Sequence, residues 1–340
     1  MTQIGMALLG VGRWGTHLLR NFLAHPQIRL VAVVDSSAER LSAIAAQFSL
    51  DSQVQLLTDP LAALALPGLE AAAIATPAMT HDVLIQAALN HSLHVLAEKP
   101  LTLDPQSARA LWELAQQQRR QLVVDHTYLF HPAVQAGKDA IAQLGPLRYG
   151  YASRTHLGPI RNDVDALWDL AIHDIAIFNH WLGETPLQVQ AQGLGWLQPQ
   201  RQTMLSPSGL ADAVWCRLRY SSGFQATIHL CWANPDKQRR LCVVGDRGTL
   251  IFDELQPSPL TLQVGIAAKT GQGFSPEAIQ TVTLPVTPSE PLRNVCDHFV
   301  DCIWTQQDSA ISSGQQGQSL VAILTKLTES MHRDGAWLSL

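Results

Sequence analysis

The stretch Ala7-Leu8-Leu9-Gly10-Val11-Gly12-Arg13-Trp14-Gly15-Thr16-His17-Leu18-Leu19 constrains this chain more than any other. A short apolar run, from Met6 to Leu9, ends in Gly10-x-Gly12-x-x-Gly15, and a helical pattern follows with Leu18, Leu19, Phe22 and Leu23 on one face. The physical reading is a buried strand, a tight glycine turn and the start of a helix. Gly10 permits the turn, Gly12 lets a pyrophosphate approach the backbone, and Gly15 lets helix and strand pack closely. The first helical turn, through Arg13 and Trp14, then offers N–H groups and a partial positive charge to the phosphates. An ordinary strand–turn–helix, with an acidic residue serving as a helix cap, is the alternative. The context favours a dinucleotide. A second apolar strand over residues 30–34 ends at Asp35, twenty residues after Gly15. A carboxylate there meets the adenosine ribose hydroxyls and repels a 2′-phosphate, so NAD is expected. Arg40 lies close enough in sequence to keep NADP open.

The pattern repeats downstream. Helical periodicity over 38–48 is followed by a polar strand-like piece over 53–57 and a short helix begun by Asp59-Pro60. Buried strands over 69–75, 94–97 and 122–125 end respectively in Thr76-Pro77, Glu98-Lys99-Pro100 and Asp125. Helices opened by Thr80-His81 and Asp104-Pro105 lie between them. Strands that alternate with helices predict a doubly wound parallel sheet, an α/β Rossmann domain over 1–123. Ligands bind beyond the carboxyl ends of such strands, so Thr76, Pro77, His81, Glu98 and Lys99 are expected on the same edge as the glycine turn. From residue 124 to 340 the pattern changes. Strand-like runs over 149–155, 214–220, 224–232, 240–244 and 249–253, with a hairpin turn at Ser221-Ser222-Gly223, predict an α+β domain on an open, mainly antiparallel sheet. A helix over 169–182 stops at Gly183, and polar loops are expected over 199–209 and 256–259. Two closing helices, near 293–304 and 316–332, are expected to pack back on the first domain.

Composition narrows the function classes. The 340 residues are 46% hydrophobic and 15% charged, enough for two domains with a substantial core. A net charge of -5 argues against a nucleic-acid partner. No apolar run is long enough to span a bilayer, and no export signal is read at the N-terminus, so a cytoplasmic protein is expected. Cys216, Cys231, Cys242, Cys296 and Cys302 are odd in number and form no CxxC pair, which suits buried thiols in a reducing compartment and no metal site.

Several residues can carry chemistry. Lys99, at a strand end and constrained by Pro100, can hydrogen-bond a substrate oxygen and stabilise negative charge. A surface pair with Glu98 is the bland alternative, disfavoured because strand neighbours point to opposite faces. Asp169 and His173 share a face if the segment is helical. A histidine can take a hydroxyl proton while a neighbouring carboxylate orients it. Asp169 as an N-cap and His173 as a plain helix residue is the competing reading. His126 and His131 bracket Thr127-Tyr128-Leu129-Phe130 and suit either a site or a hinge. Arg154, Arg161 and Arg239 could clamp a diphosphate or carboxylate, and Trp168 or Trp232 could stack on a sugar or uracil ring.

Taken together, Gly10-x-Gly12-x-x-Gly15, Asp35, Ala75-Thr76-Pro77 with His81, Glu98-Lys99-Pro100, Asp169-x-x-x-His173 and Gly245-Asp246-Arg247-Gly248-Thr249 resemble the Gfo/Idh/MocA family of NAD(P)-dependent oxidoreductases over nearly the whole length. The resemblance implies a catalytic set of Lys99, Asp169 and His173. It implies cofactor contacts at Gly10, Gly12, Arg13, Trp14, Gly15, Asp35, Thr76, Pro77, His81, Glu98 and Lys99. It implies a second domain on an open sheet whose outer face often forms homo-oligomers; beside Lys99, Asp169 and His173, the residues Tyr128, Arg154 and Arg161 are expected substrate contacts on their own chemistry. Many polyol dehydrogenases of the family carry glycines just before the aspartate. Here the segment is Asn162-Asp163-Val164-Asp165-Ala166-Leu167-Trp168-Asp169, preceded by Gly158-Pro159-Ile160-Arg161. That resembles the branch that oxidises UDP-linked N-acetyl amino sugars, usually at C3. A free sugar or polyol dehydrogenase is the alternative enzyme, and a non-catalytic dinucleotide sensor the alternative from another class.

Overall fold

A computed structural model describes residues 3–207 and 209–340, so Ser208 of the expected 199–209 loop lies outside the described residues. The chain divides into two compact units, residues 1–130 with 289–321 and residues 131–288 with 322–340. The boundary expected at 123/124 therefore falls seven residues later, after the turn 127–130, and the first unit is completed by a segment from near the C-terminus.

In the first unit, β1 (Ile4–Leu9), β2 (Ile28–Val34), β3 (Gln55–Leu57), β4 (Ala71–Ile74), β5 (His94–Glu98) and β6 (Leu122–Asp125) form one sheet in the order β3-β2-β1-β4-β5-β6. Every pairing is parallel. The central strands are largely apolar because both of their faces are covered, whereas the edge strand β3 is mostly exposed. β1, β4 and β6 are buried throughout, and α1 (Arg13–Ala24) buries Leu18, Leu19 and Phe22. Between the strands run α2 (Ala38–Phe48), α3 (Pro60–Leu64), α4 (His81–Asn90) and α5 (Pro105–Gln118). Asp59 and Asp104 accept N–H bonds at the starts of α3 and α5, with proline in the first turn of each. The strand order reverses between β1 and β4, the position where such sheets bind dinucleotides.

The second unit holds α6 (Pro132–Ala140), β7 (Leu147–Leu157), a π turn (Leu167–Ala171) running into α7 (Ile172–Leu182), β8 (Pro186–Leu194), β9 (Ala213–Tyr220), β10 (Gln225–Cys231), β11 (Ala233–Gly245), β12 (Gly248–Asp253), β13 (Leu260–Thr270) and β14 (Gly273–Thr283). Helix α8 (Pro291–Thr305) belongs to the first unit, and α9 (Gly314–Met331) is shared between the two. A short β15 (Leu338–Ser339) closes a nine-stranded sheet ordered β14-β13-β12-β11-β7-β10-β9-β8-β15. Among the described residues of this sheet, only β7 and β10 pair in parallel. The inner face of β7 carries α7: a Cβ on Gly150 would meet the Phe178 ring at 2.6 Å, and Arg154 pairs with Asp174 one turn earlier. Strand and helix therefore run in opposite directions, which brings the Asp169 end of the helix toward the end of β7.

Candidate active site

The glycine turn has the shape its sequence requires. Gly10 has φ +91°, and a side chain there would sit 2.6 Å from the Ala75 carbonyl oxygen. A Cβ on Gly15 would collide with the Gly10 carbonyl oxygen, whereas one on Gly12 would meet nothing within 4 Å. Gly10 and Gly15 thus serve the packing of the turn, and Gly12 borders open space. Helix α1 has no side-chain N-cap and no acidic residue in its first turn. Its N–H groups suit an anion, so the residues present fit the pyrophosphate of a dinucleotide. Asp35 accepts hydrogen bonds from Val11 N (3.1 Å), Ser37 N (3.0 Å) and Arg40 Nη1 (3.0 Å). Burial opposes its ionisation, but these donors outweigh it and hold the carboxyl below its ordinary range. The carboxylate at the end of β2 is therefore an anion, and Arg40, the residue that could favour a 2′-phosphate, is engaged by it.

On the other half of the sheet, Glu98 and Asp125 are the last residues of β5 and β6 and are register partners, so their side chains share a face. Both are buried. Asp125 accepts from Thr127 Oγ1 (2.7 Å) and from Trp14 Nε1 (3.3 Å), which ties the glycine turn to β6. Glu98 Oε2 accepts from Lys99 N (3.1 Å), while its buried Oε1 receives no hydrogen bond from a donor among the described residues and its side chain faces the Asp125 carboxyl. Burial, and then the charge of Asp125, push the Glu98 carboxyl well above its ordinary range, and burial raises Asp125 as well. Lys99 is half-buried beside them, and the Lys99–Pro100 peptide is cis. Arg13 is exposed and Thr76 is half-buried, its hydroxyl accepting from Thr80 Oγ1 at 2.7 Å. Pro77 is exposed, and Tyr128 is half-buried in the turn 127–130. His81 lies between the carbonyls of Pro100 (2.8 Å) and Thr76 (3.0 Å) and braces the loops after β4 and β5.

His126 is fully buried. Its Nδ1 lies 2.7 Å from Ser312 Oγ, and that hydroxyl donates to Val124 O at 2.7 Å. Ser312 has spent its proton, so His126 carries its own on Nδ1. Burial and the Lys99 charge lower its pKa to about 3 and keep it neutral. His131 is structural, because its Nδ1 accepts from Ala133 N and caps α6.

In the second unit, Asp169 lies within the π turn and His173 in the first turn of α7. The four-residue spacing is thus not that of a continuous α-helix. Nor is Asp169 an N-cap, since it lies inside the π turn, and the carboxylate that accepts from the start of the segment, at Trp168 N (3.2 Å), is Asp165. Arg161 makes a two-bond contact with Asp163 (2.9 and 2.6 Å) and donates to Asp169 at 3.3 Å. Arg154 is 2% exposed and makes two 2.9 Å bonds to Asp174. Its guanidinium is a buried strut between β7 and α7, a place that its position in the sequence did not suggest. Arg239 donates to Thr155 O (3.0 Å), Gln238 O (2.9 Å) and His156 Nδ1 (3.1 Å). Trp168 and Trp232 are buried, their indole N–H groups donating to Thr328 Oγ1 and Asp212 Oδ1, so both are core rather than stacking platforms. His156 carries no signal in the sequence. Arginine cannot accept a hydrogen bond, so its contact makes Nδ1 the acceptor and leaves the proton of the neutral ring on Nε2. Burial, then Arg239, lower the His156 pKa, while the Asp169 charge opposes them.

Two sequence models match: "oxidoreductase family, NAD-binding Rossmann fold" over residues 4–126 and "GFO/IDH/MocA C-terminal domain" over residues 148–251. The chain belongs to the Gfo/Idh/MocA family. It is accordingly an NAD-dependent oxidoreductase, placed among sugar and polyol dehydrogenases. The UDP-N-acetylglucosamine 3-dehydrogenase of Acidithiobacillus ferrooxidans is 32% identical over 197 residues, an alignment that covers 57% of this chain and 59% of that protein. The crystal structure of that enzyme superposes with a TM-score of 0.82 at 24% identity, covering 98% of this chain and 99% of the other, a likeness of fold. Inositol 2-dehydrogenase of Rhizobium meliloti is 25% identical over 96% of this chain and 97% of its own.

Proposed function

We propose that this Gfo/Idh/MocA protein oxidises a ring hydroxyl of a UDP-linked N-acetyl amino sugar, at C3, with NAD as hydride acceptor. The observation that carries the reading is the 32% identity to the Acidithiobacillus enzyme, supported by the segment from Gly158 to Asp174. The full-length alignment with inositol 2-dehydrogenase supports a second reading, oxidation of a free polyol. NAD, when bound, accepts hydride at nicotinamide C4. His173, oriented with the help of Asp169, takes the hydroxyl proton on its imidazole. The Lys99 ammonium donates to the same oxygen and stabilises the charge that grows there. Arg161 holds the Asp169 carboxylate in place, and Tyr128 is a further substrate contact. The five cysteines are free and buried, which supports a reducing, cytoplasmic setting. The outer face of the nine-stranded sheet exposes Tyr149 stacked with Tyr151 and Trp215 stacked with His229, which supports homo-oligomer formation through that face.

The test is nicotinamide absorbance of the purified protein with NAD and a panel of UDP-sugars and free polyols, with 2-oxoglutarate omitted and then added. Reduced nicotinamide should accumulate with a UDP-N-acetyl sugar. Accumulation with inositol alone would move the assignment to the polyol reading. Lys99→Met should abolish turnover while NAD still binds, and full activity in that variant would remove Lys99 from the mechanism.

A further inference from the structure

The carboxyl pair at the ends of β5 and β6 takes no part in the transfer of hydride and proton by Lys99, Asp169 and His173. Glu98 and Asp125 are register partners at the carboxyl edge of the sheet, on the half that holds the nicotinamide when a dinucleotide spans the reversal point. Two carboxylates so close, both buried, cannot both remain ionised. The donors decide which one holds the proton. Asp125 accepts from Thr127 Oγ1 and Trp14 Nε1, with the Glu98 carboxyl as a third hydrogen-bonding neighbour, and these suit an anion. Glu98 accepts one backbone bond at Oε2, its buried Oε1 receives no hydrogen bond from any donor among the described residues, and its side chain lies within hydrogen-bonding reach of the Asp125 carboxylate. A proton on Oε1 turns an unsatisfied acceptor next to a carboxylate into a donor next to a carboxylate. Among the described residues, Lys99 and the Cys296 thiol of α8, which burial keeps protonated, feel the pair's charge, and His126, next in sequence to Asp125, is neutral.

We propose that Glu98 and Asp125 share one proton and present a single buried negative charge to the nicotinamide half of the site. That charge favours the cationic, oxidised ring over the neutral, reduced one. The pair sets which redox form the protein prefers, and Trp14 carries the glycine turn into the same arrangement through its bond to Asp125.

The inference rests on the NAD reading, and the test separates the two. Binding of NAD and of NADH to the intact protein is measured at neutral pH for wild type, Glu98→Gln and Asp125→Asn. Asp125→Asn removes the charge and should lower the affinity for NAD relative to NADH by about tenfold. Glu98→Gln keeps one charge and one donor and should leave that ratio unchanged. An equal shift in both variants would show two ionised carboxylates and overturn the shared proton. No shift in Asp125→Asn would overturn the electrostatic role. If wild type bound neither form, the cofactor reading itself would fall. Infrared spectroscopy of the wild type gives an independent check should Asp125→Asn fail to fold. A carbonyl stretch of a protonated carboxyl should be present at neutral pH and lost in Glu98→Gln; its absence from wild type overturns the proposal.

Discussion

Two glycines of one motif face opposite constraints. Gly15 is locked by backbone, because any side chain meets the Gly10 carbonyl. Gly12 is unconstrained by the protein, since a methyl there touches nothing within 4 Å. Gly15→Ala should therefore cost about 1–3 kcal/mol of stability by overpacking. Gly12→Ala should melt close to wild type yet bind NAD at least tenfold more weakly. Thermal unfolding with and without NAD measures both. A large loss of stability in Gly12→Ala would place that residue in the fold rather than at the pyrophosphate. The glycines and Asp35 were legible in sequence because their spacing along a strand–turn–helix–strand is itself the signature, even though Gly10 packs on Ala75 and Asp35 reaches back to Val11. The fate of Arg154 was not. Its partner, Asp174, lies twenty residues away on another element, and nothing local distinguishes a buried arginine from a ligand-binding one. His156 escaped notice for the same reason, since its tautomer is set by Arg239 from a strand more than eighty residues on.

At the level of elements, periodicity identified what is amphipathic or continuously apolar and missed what is neither. The parallel strands and the helices packed on them were plain. Strand β14 was not, because it is exposed almost end to end and pairs only with β13, leaving no burial pattern to read. The π turn at Asp169 has the same local composition as an α-helix and leaves no mark in sequence. The start of β5 shows an element held by a titratable residue. His94 is buried and accepts from Gln121 N at 3.0 Å, and burial followed by the Arg120 charge lower its pKa to about 4. In the unfolded chain it would protonate near pH 6.5. The unfolded state therefore binds more protons between these values, and stability should fall as pH drops from about 6.5 to 4. Denaturant midpoints across that range, for wild type and His94→Gln, check this. The variant should be less stable at pH 7 but show the shallower decline on acidification.

For the whole molecule, sequence reading placed the change of pattern near residue 124 but could not show that the first unit is discontinuous. Residues 289–321 supply Ser312, which fixes His126, a bridge from Ser313 to Val123, and Gly317, where a Cβ would meet Val124 at 2.8 Å. A chain cut after residue 288 should fail to bind NAD, although every residue assigned to the cofactor precedes that point. Fluorescence titration of the truncated protein, with and without residues 289–321 supplied as a separate peptide, measures the effect. Full affinity in the truncated chain would mean that the segment is dispensable.

That discontinuity also fixes a timetable. A ribosome adds about 5–20 residues per second. The cofactor half is the first to leave the exit tunnel, but its last strand lacks its seal until residue 321 has followed. Between these moments the whole β7–β14 stretch must emerge with an unfinished neighbour. If the truncated chain fails to bind NAD as expected, most of the nascent chain has to be synthesised before any of it can be held by a nucleotide.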